Sequence, residues 1–191
     1  MDYFFAFARQ FGSTSNADLE YVLEKAQRHF IPQGDFFLKP GQICHSIGFV
    51  TEGVLRTFII DEQGKELIRN FPSEYSFVVD LNSYHNRIPS VEYWEALTDI
   101  HMLLWDRPTI ECFEQNIASW HAVTTNMTQK ILLDNALERT EMFNDDASTR
   151  YRKFMERYPK DLARISLRHL ANYLGITPQS LSRIRQQMGK R

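Results

Sequence analysis

Cysteine is nearly absent from this 191-residue chain: Cys44 and Cys112 stand far apart, with no CxxC or other ligand spacing. That argues against a structural zinc site or a cysteine-held iron–sulfur cluster and fits a reducing compartment, so a cytoplasmic location is expected. Each thiol reads as a buried structural residue before it reads as a redox-active one. No apolar run approaches the roughly 18 residues a membrane span needs, and Met1-Asp2 lacks the basic start of a signal peptide. No membrane partner is expected. Gly-rich phosphate loops and nucleophile motifs are missing too. The histidines at 29, 45, 85, 101, 121 and 169 form no close cluster, so neither a metal nor a cofactor is expected.

What is present is an aromatic-rich globular composition, with fourteen Phe, eight Tyr, 43% hydrophobic and 24% charged residues. That aromatic content suits strands better than a helical bundle. The formal net charge of −2 conceals a strong asymmetry. From Ala147 onward there are eleven Lys and Arg against two Asp and Glu, a net of +9, while the rest carries a net of −11. A basic tail on an acidic body favours phosphate binding by the tail alone.

In chain order, Met1 to Phe11 is rich in Tyr and Phe and reads as a short helix docked over an apolar surface, or exchanged between subunits. Ser15 or Asn16 caps a second helix, whose Leu19, Val22, Leu23 and Ala26 keep helical spacing to about Phe30. From Phe36 to Asp106 the period changes to two, with turns at Pro40-Gly41, Glu52-Gly53, Asp61 to Gly64 and Pro72. Short strands at this spacing close into a sandwich or roll. After an irregular stretch, Glu92 to Leu97 and His101 to Trp105 add two more strands.

Thr109 to Phe143 contains no Gly or Pro, and Ile110, Phe113, Ile117, Trp120, Thr124, Met127 and Ile131 step in threes and fours. The pattern predicts one long helix, and a helix of that length needs a partner. The same helix of a second subunit is the simplest one. Ile117, Trp120, Thr124, Met127 and Ile131 form the expected dimer seam. Asn144-Asp145-Asp146 is the candidate hinge and divides residues 1–143 from 144–191.

The C-terminal part carries the sharpest pattern, a helix-turn-helix. Ser166 caps a helix whose Leu167, Leu170, Ala171 and Leu174 share one face, and Gly175 stops it. Thr177-Pro178 then opens a second helix with Leu181, Ile184 and Met188 inward. The opposite face collects Gln179, Arg183 and Gln186, side chains able to bond base edges. A merely solvated helical hairpin is the bland alternative; the coincident basic excess favours DNA.

An N-terminal helix, a roll, a long helix, a linker and a helix-turn-helix, in this order, resemble the Crp/Fnr family of transcription regulators. The most specific pieces are Lys39-Pro40-Gly41-Gln42, Ile47 to Gly53, Asp61 to Glu66, and LANYLGITPQSLSRI at the end. The resemblance implies an α+β fold: a jelly-roll-like, cyclic-nucleotide-binding-like β-roll, a dimerisation helix over about 109–143, and a helical DNA-binding domain over 144–191. The last lacks the full winged hairpin usual in the family. It implies a homodimer on double-stranded DNA, an unknown small-molecule effector, and RNA polymerase as a further partner. Arg183 falls on the family's base-contacting arginine and Gln179 on another base-contacting position, while Pro178 removes a third. Thr177 and Ser180 match phosphate-contacting positions, and Arg168 and Arg185 flank them as further phosphate ligands.

The ligand end departs from the family. Where cyclic-nucleotide binders place a Gly-Glu pair and, ten residues later, an Arg, this chain has Val79-Asp80 and Ser90-Val91. Positions that meet the base fall at Asn135-Ala136, and Arg87 is the nearest substitute cation. A buried phosphate without a cation is costly, so no response to cAMP or cGMP is expected. Two other classes stand against the regulator reading. A cupin-like metalloenzyme needs a histidine cluster that is missing, so no enzyme activity is expected; a protein-binding regulatory module would use the basic tail for docking.

Overall fold

A computed structural model describes residues 2–188. Two short helices, α1 (Asp2–Ala8) and α2 (Asn16–Glu24), precede the strands. Ser15 caps α2, accepting from the Asp18 amide. The expected continuation to Phe30 does not occur. The helix stops at Lys25, and Gln27–Ile31 is strand β1. Four successive exposed residues there give no local strand signal; antiparallel pairing with a later strand, Ile31 opposite Ile100, overrides helical spacing.

The roll continues through β2 (Phe36–Leu38), β3 (Ser46–Glu52), β4 (Leu55–Ile60), β5 (Glu66–Asn70), β6 (Phe77–Val78), β7 (Tyr93–Ala96) and β8 (Ile100–Asp106). They form two antiparallel four-stranded sheets, ordered β1-β8-β3-β6 and β2-β7-β4-β5. The expected irregular stretch contains β6 and one helical turn and a half, α3 (Leu81–Asn86), capped by Asp80. Pairing of β6 on β3 depends on Gly48, where a Cβ would meet Val78 Cγ2 at 2.6 Å. Between the sheets lies an aromatic core. Phe4 packs on Phe49 and Trp105, and Phe49 on Phe77, with ring centroids 5.1–5.6 Å apart. Phe4 thereby fastens α1 onto its own roll, and Trp105 Nε1 donates to Val22 O of α2 at 2.7 Å.

The expected single long helix is two. Arg107–Asn116 is α4 and Trp120–Asn144 is α5, separated at Ile117, whose backbone is extended (φ −114°, ψ 105°). No Gly or Pro causes the break. Ile117 and Trp120 are 3% and 7% exposed, and Trp120 packs edge-on against Phe113 at 5.0 Å. Beyond Asp145 come α6 (Ala147–Arg157), α7 (Leu167–Tyr173) and α8 (Pro178–Met188). They bury Tyr151, Phe154, Leu170, Leu174 and Leu181 in one cluster with Val54, Phe58, Ile68 and Phe71 of the roll.

Candidate nucleic-acid interface and roll cavity

The helix-turn-helix forms as its residues demand. Ser166 accepts from the His169 amide at 3.1 Å and starts α7; Gly175, at φ 69°, permits the left-handed exit. Thr177 Oγ1 accepts from the Ser180 amide at 3.2 Å and starts α8. Leu181 is fully buried on α7. Gln179, Arg183 and Gln186 are exposed, as are Arg168, Thr177 and Arg185. Ser180 is half-buried, and its hydroxyl lies 3.0 Å from that of Thr177.

The basic excess is partly spent inside the molecule. Lys153 pairs with Asp145 at 2.7 Å and Glu141 at 3.3 Å, and Arg157 with Glu138 at 3.0 Å and Glu141 at 3.1 Å. Arg150 donates to the carbonyls of Met142 and Asp145, both at 3.0 Å. Arg164 grips Glu74 of the roll through two bonds, 2.5 and 2.6 Å, and also Asp161. These cations close the charge of the α5 C-terminus and the roll. The exposed row is narrower than the sequence excess suggests, centring on Arg168, Arg183 and Arg185.

Two polar contacts tie α7 to the rest. The Asn172 carboxamide accepts from the Ile68 amide at 2.9 Å and donates to the Glu66 carbonyl at 2.7 Å. It thus occupies the open edge of β5, the last strand of its sheet. Next to it, Tyr173 donates its hydroxyl to Glu138 of α5 at 3.2 Å, joined by the Tyr158 hydroxyl at 3.3 Å. Burial pushes the Glu138 carboxyl up, against the pull of Arg157; burial and Glu138 push both tyrosine hydroxyls up. His169 on the same helix is pushed down by burial and by Arg56.

A cavity of about 1300 Å³ lies between the roll, α5 and the turn after α6. Val79, Asp80 and Asn135, three of the expected ligand positions, line it. The other four do not. Ser90 is buried behind Asp80, donating to it at 2.7 Å, while Asp80 also caps α3 through the Ser83 amide at 3.0 Å. Arg87 is the exposed, left-handed end of α3 (φ 55°), Val91 is 70% exposed, and Ala136 is exposed on α5. Arg87 therefore does not replace the missing cation. The cavity holds instead Arg69, paired with Glu92 at 3.0 Å, together with Trp94 and Arg139. Burial pushes the Glu92 carboxyl up, opposed by Arg69. The Trp94 indole N–H is buried and makes no hydrogen bond of ordinary geometry among the described residues, but it lies near enough to the Glu92 carboxylate to help hold it down. Alternation along β5 hinted at Arg69 by placing it opposite Ile68; nothing local marked Glu92 or Trp94.

The expected seam requires correction. Ile117, Trp120 and Met127 are 3%, 7% and 8% exposed, and Ile131 packs beside Phe11, Val123 and Met127. Thr124 returns its hydroxyl to the Trp120 carbonyl at 3.1 Å. This face of α5 is covered by its own protomer, because α1 and the roll lie under it. The uncovered large apolar side chains of α5 are Leu132, Leu133, Leu137 and Phe143, 56%, 64%, 60% and 88% exposed.

No protein-family model matches the chain, and no curated protein sequence matches it. Solved structures do. FixK2 of Bradyrhizobium japonicum superposes with a TM-score of 0.76 at 17% identity, covering 86% of this chain and 85% of that one. CLP of Xanthomonas campestris, described as a c-di-GMP responsive global regulator of virulence gene expression, gives 0.69 at 14%, covering 92% of each. A crp/fnr family regulator from Eubacterium rectale gives 0.67 at 15%, covering 92% of this chain and 83% of that one. The chain has the Crp/Fnr regulator fold. Within that fold α8 is the second helix of the helix-turn-helix, and the cavity between the roll and α5 brings Val79, Asp80 and Asn135 together with Arg69 and Glu92. No helix among the described residues is long and apolar enough to cross a membrane.

Proposed function

We propose that the protein is a sequence-specific DNA-binding transcription regulator that works as a homodimer and does not respond to cAMP or cGMP. The observation that carries the reading is the exposed row Gln179, Arg183 and Gln186 on α8, held off the body by Leu181 and α7 in a Crp/Fnr regulator fold. Arg183 suits guanine O6 and N7, and glutamine suits adenine. Arg168, Thr177, Ser180 and Arg185 serve the phosphates, and the module spans 144–191, from the end of α5 onward. Contacts with RNA polymerase follow from the same reading.

The dimer seam runs along the uncovered side of α5. At about 100° per residue, Gln129, Leu133, Ala136 and Thr140 form one row, flanked by Leu132 and Leu137. No charged side chain interrupts that row, so a two-fold self-contact along it sets no like charges against each other. Of the cations that line the cavity, Arg69 already holds Glu92 and Arg139 is exposed on α5, while Asp80 adds a second acidic side chain. An anionic phosphate is disfavoured there, and an uncharged effector fits better.

Selecting bound duplexes from a random pool tests the reading. Enrichment of a two-fold related sequence, half-sites about one helical turn apart, is the expected result. A pool that stays random after selection would remove the regulator reading.

A further inference from the structure

We infer that β5 is a mechanical link between the roll cavity and the reader module, with Asn172 as its clasp. This inference rests on the regulator reading above. Strand β5 has two sides with different neighbours. Arg69, on the face opposite buried Ile68, lines the cavity and pairs with Glu92, its side chain 38% exposed. The strand's outer edge would ordinarily expose unpaired amides and carbonyls, because β5 ends its sheet. Asn172 fills that edge as a neighbouring strand would, accepting from Ile68 and donating to Glu66, the residues two apart that flank Leu67. One residue on, Tyr173 is bonded to Glu138 of α5. Helix α7 is thus held by the roll at one residue and by α5 at the next, and α8 rides on α7 through Leu170, Ala171, Leu174 and Leu181.

The clasp is built for positioning rather than for occlusion. Gln179, Arg183, Gln186, Arg168 and Arg185 all remain exposed while it is closed. Its effect is to fix the reader's orientation before DNA arrives. A released reader must be ordered at the moment of binding, which weakens specific binding, whereas phosphate attraction is indifferent to orientation. A ligand that disturbs the Arg69–Glu92 pair displaces β5 and reaches the reader through the same two hydrogen bonds.

The test is a double-mutant cycle on the full chain, using the selected duplex and an unrelated duplex. Asn172→Ala is placed in a helix, where alanine is the best-tolerated residue, and circular dichroism with thermal unfolding checks that the fold persists. The expected results are about tenfold faster hydrogen exchange at the Ile68 amide, about tenfold weaker binding to the selected duplex, and unchanged binding to the unrelated one. Asn172→Asp, which keeps the acceptor for Ile68 and loses the donor to Glu66, should fall between. Arg69→Met should also weaken selected binding, and the Arg69→Met/Asn172→Ala double variant should be no weaker than the worse single one. Unchanged Ile68 exchange, unchanged or stronger selected binding in Asn172→Ala, or additive losses would each overturn the inference. Should the unaltered protein select no sequence at all, the regulator reading fails instead, and Ile68 exchange still reports whether the clasp exists.

Discussion

Ser90 donates its hydroxyl to Asp80 across 2.7 Å, so the two positions where a nucleotide phosphate and ribose would be sought satisfy each other. Freeing Asp80 for a ribose would strip Ser90 of its acceptor and loosen the cap of α3. A phosphate at Ser90 would meet no cation, and leaving such an anion buried and unpaired costs about 3–5 kcal/mol. That moves a micromolar site to between about 0.1 mM and about 5 mM. Calorimetric titration with cAMP and with cGMP should give no measurable heat of binding, and neither should change DNA affinity. A micromolar dissociation constant for either one would refute this.

Arg183 is exposed on α8 opposite buried Leu181. Arg183→Ala should cost about 1–3 kcal/mol on the selected duplex and relax preference at one base pair. Arg168→Ala should weaken all duplexes alike and flatten the salt dependence by about one counterion. Competition binding against single-base variants separates the two outcomes. Arg164→Ala is a different case, because its guanidinium is committed to Glu74 and Asp161; it should loosen the reader module without changing base preference.

What could be read beforehand and what could not divide along a physical line. The helix-turn-helix, the turn at Asp61 to Gly64 and six strands are written in short-range terms: caps, left-handed glycines and alternation. Strand β1 is decided by a distant partner, Ile100, and the break at Ile117 comes without a Gly or Pro to announce it, where Phe113, Ile117 and Trp120 join the core of the roll. Periodicity on α5 correctly marked Trp120 and Met127 as covered but is silent about what covers them. The roll of the same protomer does. In the cavity, the departures at Val79-Asp80 and Ser90 were legible; Arg69, Glu92 and Trp94 converge only once the sheets close.

That correction separates two substitutions on one helix. Met127→Lys places a charge in the protomer's own core, so it should lower the unfolding midpoint, by the several kcal/mol of an unpaired buried charge. Leu133→Glu places its charge on the uncovered row, 64% exposed in the protomer. It should leave monomer folding intact and shift the dimer to monomers, since symmetry puts two like charges on the seam. Sedimentation alongside urea unfolding checks the pair. An unchanged dimer in Leu133→Glu would move the seam elsewhere on the surface.

The contact between the reader module and the roll should be acid-sensitive through Glu74. Its side chain accepts both Arg164 bonds and the Gly53 amide at 2.8 Å, and Arg164 holds the carboxyl at about 2, well below its ordinary 4.5. A carboxyl depressed in the folded state stabilises fully above its unfolded value, and that contribution is lost as pH falls from about 4.5 toward 2. Glu74→Gln keeps an acceptor for Gly53 and abolishes the charge. Urea unfolding of both proteins between pH 7 and pH 2.5 should therefore show the unaltered protein more stable at neutral pH, with the difference shrinking through that window. Salt should reduce the difference only partly, because the pair is largely shielded, with 27% and 22% of the two side chains exposed. A difference that stays constant from pH 7 to 2.5 would mean that the Arg164–Glu74 pair does not fasten the module.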